Sequence, residues 1–94
     1  MEHRPAKPIE EHRKRLRFRS WHRGTKEIDL LLGNFADAWL DRLTVEQLRR
    51  YEALLDASDA DLFEWVVGGA AAPQVHDHDV LRLLRTVQLR TVRN

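Results

Sequence analysis

The chain has 94 residues, no cysteine and a formal net charge of +1. That length supplies one small domain, which buries only about 60–65% of its unfolded surface and leaves little room to enclose a large cofactor. The absence of cysteine excludes a disulfide scaffold, a thiolate nucleophile and a Cys-based zinc site. No apolar run reaches the ~20 residues of a membrane span, and residues 1–26 show no apolar signal core. The expectation is a cytoplasmic protein without membrane insertion. The small net charge hides an asymmetry. Residues 1–26 hold nine Lys/Arg against three Asp/Glu, residues 27–79 three against twelve, and residues 80–94 four Arg and no acid. Such a distribution either steers a partner or is neutralised within the fold.

Residues 1–8, with Pro5 and Pro8, predict a flexible arm, and residues 9–92 a single helical domain. The first helix runs from Ile9 with Leu16 and Phe18 as its main apolar residues, Phe18 being assigned to the core. Gly24 ends it, since glycine accepts the left-handed conformation of helix exits. Thr25 is the expected N-cap of a second helix. There Ile28, Leu31, Leu32, Phe35 and Trp39 recur at spacings of three and four, the strongest helical stripe in the chain. Glu27 and Asp29 in its first turn favour the helix dipole.

Thr44 and Gln47 form a capping box for a third helix, which buries Leu48, Tyr51, Leu54 and Leu55. Ser58 caps a short fourth helix carrying Leu62, Phe63, Trp65 and Val66, stopped by Gly68 and Gly69 before Pro73. A fifth begins near Asp77 or Asp79 and carries Val80, Leu83, Leu84 and Val87. No stretch alternates with a period of two. The predicted fold is therefore all-α, a compact bundle of five short helices. Ile28, Leu31, Leu32, Phe35, Leu48, Tyr51, Leu62 and Val66 are among its core residues.

Arg23-Gly24-Thr25-Lys26-Glu27 places a guanidinium fork and a carboxylate around a glycine at a helix junction. Physics alone favours a structural reading, with Arg23 at the surface, Gly24 a cap and Glu27 a dipole partner. Yet the stretch from Arg15-Leu16-x-Phe18 through Arg23-Gly24-x-x-Glu27 to Leu31-Leu32-x-x-Phe35 resembles the SdhE family of FAD assembly factors, also named succinate dehydrogenase assembly factor two. A second block, Asp59-Ala60-Asp61-Leu62-Phe63-Glu64-Trp65, resembles that family's Asp-x-Asp-Leu-Phe-x-Trp. The likeness covers about residues 13–90, with mild departures at His22 and Thr25.

The resemblance implies an assembly factor that binds the flavoprotein subunit of succinate dehydrogenase and promotes covalent attachment of FAD to it. It leaves fumarate reductase open as a second client. It implies no catalytic residue, no cofactor and no metal of the chain's own, the covalent chemistry belonging to the client and its flavin. It puts Arg23, Gly24 and Glu27 against the client, needed for function rather than folding. Trp21, His22 and Asp29 beside them complete the expected partner-binding set. The free chain is expected to be a monomer.

Other features have competing readings. The run Arg13 to Arg23 interleaves bases with Phe18 and Trp21, as a nucleic-acid surface can. A small basic helical nucleic-acid-binding or regulatory protein is the alternative function, though on a helix those residues point around the whole circumference. The sequence reading expects no nucleic-acid partner. His76-Asp77-His78-Asp79 holds metal-ligand types, but adjacent residues rarely converge on one ion, and helix capping is the preferred reading. Trp39 and Trp65 fall on apolar stripes and are assigned to the core, whereas Trp21 is off-stripe. No dinucleotide fingerprint is present.

Overall fold

The structure, a computed structural model, describes residues 8–92, with side chains described through residue 88. The arm predicted over residues 1–8 lies outside the described residues except for Pro8, which opens the first helix. Five helices follow in order: α1 (Pro8–Trp21), α2 (Lys26–Trp39), α3 (Val45–Leu55), α4 (Asp59–Val66) and α5 (Asp79–Val92). Short 3-10 turns at Leu40–Arg42 and Gln74–His76 lead into α3 and α5. No strand occurs among the described residues, and the bundle is the all-α one that the sequence predicts.

The core lies where α2, α3, α4 and α5 meet. Ile28, Leu32 and Phe35 of α2 pack with Leu48, Tyr51, Leu54 and Leu55 of α3, Leu62 and Val66 of α4, and Val80, Leu81 and Leu84 of α5. Leu31, Trp39, Leu83 and Val87 are half-buried against this cluster. Local chemistry starts the helices as predicted. The Thr44 hydroxyl accepts the Gln47 N–H at 3.2 Å while the Gln47 side chain accepts the Thr44 N–H at 2.9 Å, a complete capping box. Ser58 accepts the Asp61 N–H at 3.1 Å. At α5 the cap is His78, whose Nδ1 accepts the Leu81 N–H at 3.2 Å.

Three core assignments differ from the sequence reading: Phe18 is exposed, and Leu31 and Trp39 are only half-buried at the edge of the cluster. Phe18 is 63% exposed rather than in the core. α1 packs through Leu16 and Ser20, one turn apart, and at about 100° per residue Phe18 stands about 160–200° from both. Phe63 is 40% exposed, because Leu62, Trp65 and Val66 already fill the buried face of α4.

Besides the burial of Leu16, hydrogen bonds and ion pairs tie α1 to its neighbours. Ser20 donates to the Leu16 carbonyl at 2.7 Å, and its hydroxyl shares a 2.6 Å hydrogen bond with the buried Tyr51 hydroxyl. Burial drives the Tyr51 phenol well above its ordinary pKa, which keeps it a neutral donor. Arg13 donates to the Leu40 and Leu43 carbonyls, Arg17 pairs with Asp37 and Asp41, and Arg19 pairs with Asp56. The basic first helix is thus seated on the acidic middle of the chain. Of the two readings of the charge asymmetry, the structure supports neutralisation within the fold.

Candidate functional site at the α1–α2 junction

Residues 22–25 link α1 to α2. Gly24 sits there at φ +113°, an exposed position where a Cβ meets nothing within 4 Å. The constraint is therefore conformational: the backbone needs a residue without a Cβ, and the space above it is open. Thr25 occupies the N-cap position in an extended conformation, but its side chain makes no cap bond. Asp29 instead reaches back and accepts the Arg23 N–H at 2.7 Å, closing the turn.

Arg23 faces inward. Its Nε donates to Asp59 at 2.8 Å, one terminal nitrogen donates to the Leu55 carbonyl, and the other to the Ala57 carbonyl at 2.6 Å. The side chain is 13% exposed. A planar fork here satisfies the carbonyls at the end of α3 and the carboxylate at the start of α4, a bracket that ties the junction to the α3–α4 turn.

Glu27 behaves in the opposite way. It is exposed in the first turn of α2 and has no hydrogen-bond or ion-pair partner among the described residues. His22 is exposed and stacks on Phe18, with ring centroids 4.0 Å apart, and its Nδ1 lies 2.7 Å from the Phe18 carbonyl. Trp21 is half-buried. Its indole lies over Gly33, where an added Cβ would stand 2.2 Å from the ring, and its Nε1 donates to Asp37 at 3.3 Å. A glycine in the interior of α2 costs about 1 kcal/mol against alanine, and this close approach is what it permits.

The six predicted partner-binding residues therefore divide. Gly24, Glu27 and His22 present themselves to the outside, whereas Arg23, Asp29 and Trp21 are tied into the junction. Two concavities flank it. An open cleft of about 420 Å³ is bounded by Phe18, His22, Arg23 and Asp59. A groove of about 430 Å³ lies between α2, α4 and α5, with Glu27 among its lining residues. Sequence reasoning missed the exposed Phe18, and it missed Leu30, Phe63 and Val67, which line the groove. The available signals were positional: Leu30 is off the α2 stripe, and Phe63 of α4 and Val67 at its C-cap are four residues apart.

Among the described residues no group of three metal-ligating side chains converges, and no helix is long and apolar enough to cross a membrane. At the predicted capping segment, Asp79 pairs with Arg50 and Gln47 and His78 caps α5.

Residues 14–88 match the family described as the flavinator of succinate dehydrogenase. A similar protein is the mitochondrial succinate dehydrogenase assembly factor 2 of Dictyostelium discoideum. It is 43% identical over 77 residues, covering 82% of this chain and 55% of that protein. The FAD assembly factor SdhE of Acetobacter pasteurianus is 40% identical over 70 residues, covering 74% of this chain and 64% of that protein. A mitochondrial assembly factor 2-B of Drosophila ananassae is 34% identical over 84 residues, covering 87% and 52%. The matched stretch spans between about half and just under two thirds of those proteins. The bracket at Arg23, the open turn at Gly24 and the exposed carboxylate at Glu27 all lie within the matched residues, and on that match this chain belongs to the flavinator of succinate dehydrogenase family.

Proposed function

We propose that this chain is an assembly factor that binds the flavoprotein subunit of succinate dehydrogenase and promotes covalent attachment of FAD to it. The observation that carries the reading is the pairing, within the family match, of an exposed Gly24 with an exposed Glu27 that has no partner among the described residues, on a junction locked by Arg23. A rigid frame with one open backbone position and one uncommitted carboxylate is suited to holding a partner in a fixed pose. The contribution to flavinylation is then positioning of the client, and the bond-forming chemistry stays with the client and its flavin. The chain itself is not an enzyme and carries no flavin, and the cytoplasm is its proposed location.

The nucleic-acid alternative loses its main support, because Arg13, Arg17, Arg19 and Arg23 of the basic run are engaged on carbonyls and carboxylates of the same chain.

The test pairs stability with function. Glu27→Ala removes a dipole interaction of at most about 0.3–1 kcal/mol, too little to unfold the domain. Near-native melting with a clear loss of covalent flavin on the purified subunit is the expected result. Normal flavinylation by the variant overturns the role of Glu27, and a wild-type chain that neither binds the subunit nor raises its flavin content overturns the function.

A further inference from the structure

The groove between α2, α4 and α5 is built from side chains that the core does not need. Leu30 of α2, Phe63 of α4 and Val67, which caps the end of α4, line it, and each keeps 40–45% exposure. Leu31 and Leu84 form its deeper wall. Lining residues recur four apart on each helix, at Leu30 and Asn34, Phe63 and Val67, Leu84 and Gln88, so the groove extends for about one helical turn. Polar side chains at Leu30 and Phe63 would leave the buried cluster intact, so their apolar character has no evident use in the free chain. A contiguous apolar surface of this kind marks a place that another surface covers.

Charge selects what covers it. Glu27 is the charged side chain among the residues that line the groove, and its carboxylate is unpaired among the described residues. A second copy docked groove on groove supplies no cation for Glu27, because a two-fold contact repeats the same patch and the lining residues include no Lys or Arg. A partner with apolar side chains beside a cation meets both demands at once.

We propose that this groove receives a segment of the flavoprotein client that carries one or two apolar side chains next to a Lys or Arg. The apolar side chains fill the space between Leu30, Phe63 and Val67, and the cation pairs with Glu27. This rests on the flavoprotein reading above and extends the contact from the Gly24 turn along α2 to α4. Glu27 is then a positioning residue at the head of the groove.

The experiment titrates the purified chain against the purified flavoprotein subunit by calorimetry, at low and high salt, with a melting curve for every variant. Phe63→Ser and Leu30→Gln are each expected to weaken binding about tenfold or more while melting close to the wild type. Glu27→Gln is expected to weaken it about threefold to tenfold and to flatten its salt dependence. Val75→Ser, at a residue 72% exposed that does not line the groove, is expected to bind as the wild type does. Leu30 and Phe63 stand on different helices, so one variant remains readable if the other fails to fold. Native binding by both folded variants overturns the proposal, as does a concentration-dependent dimer of the free chain that Phe63→Ser abolishes. A wild-type chain that shows no binding overturns the flavoprotein reading and this proposal together, and the wild-type titration alone separates that failure from the others.

Discussion

Arg23 and Glu27 belong to one short motif and do opposite jobs. The guanidinium of Arg23 is spent on Asp59 and the Leu55 and Ala57 carbonyls, so its removal strands acceptors at the end of α3 and a carboxylate at the start of α4. Arg23→Ala is expected to cost about 1.5–3 kcal/mol, read as a lowered melting temperature. Arg23→Lys recovers only part of this, because an ammonium cannot hold three acceptors in a planar fork. Native melting of Arg23→Ala is the opposing result. Gly24 makes a different prediction. Its cost of substitution lies in the positive φ alone, so Gly24→Ala and Gly24→Arg are expected to lose stability equally, by about 1–3 kcal/mol. They separate only in client binding, where the Arg variant is the weaker. The sequence made all three residues visible as a motif. It could not show that Arg23 turns inward, because its acceptors lie 32–36 residues further along the chain.

Helix α5 starts on a histidine that must stay neutral. Accepting the Leu81 N–H at Nδ1 puts the His78 proton on Nε2, a buried atom with no partner among the described residues. Burial foremost, then His76 and Arg50, hold the His78 pKa below its ordinary value against the pull of Asp79. A base with a depressed folded pKa binds fewer protons folded than unfolded. Its contribution is therefore complete above the ordinary value of about 6.5 and is lost as pH falls from there toward the folded pKa. The cap is worth about 1 kcal/mol, roughly 4–8 °C of melting temperature for a domain this small. Melting curves between pH 7.5 and 5 are expected to fall across that window for the wild type and to flatten for His78→Asn, whose amide oxygen caps without titrating. Equal slopes for the two proteins overturn the assignment. The other caps at this scale show what a sequence conveys. Thr44–Gln47 and Ser58 act within three residues and were legible, as was the stripe of α2. Arg13, Arg23 and Arg85 close carbonyls at the ends of other elements, Arg85 on Trp65 and Ala70, and nothing local marks them. For the same reason Phe18 was misplaced: α1 carries too few apolar residues for periodicity to pick its buried side.

Across the whole molecule, basic α1 lies against acidic neighbours, and this arrangement sets how the domain comes apart. The five-helix, all-α architecture was readable because α2, α3 and α5 each have an apolar face and capping or turn residues between them. The groove was not, since its walls come from three helices brought together only by folding. α1 differs from the rest in how it is held. Leu16 and Ser20 are its only fully buried residues, with Ile9 and Trp21 partly covered, and its remaining ties are hydrogen bonds and half-exposed ion pairs. Such pairs contribute about 0–1 kcal/mol each and weaken in salt, whereas the apolar contacts of α3 do not. Amide protons of α1 are therefore expected to exchange with deuterium at least about tenfold faster than those of α3, through a partial opening that leaves the other helices closed. One molar sodium chloride widens the difference, and uniform exchange across both helices is the contrary finding. The helix that carries Phe18 and leads through His22 into Gly24 is then a separate foldon, one that exposes its peptide groups to a protease before α3 does.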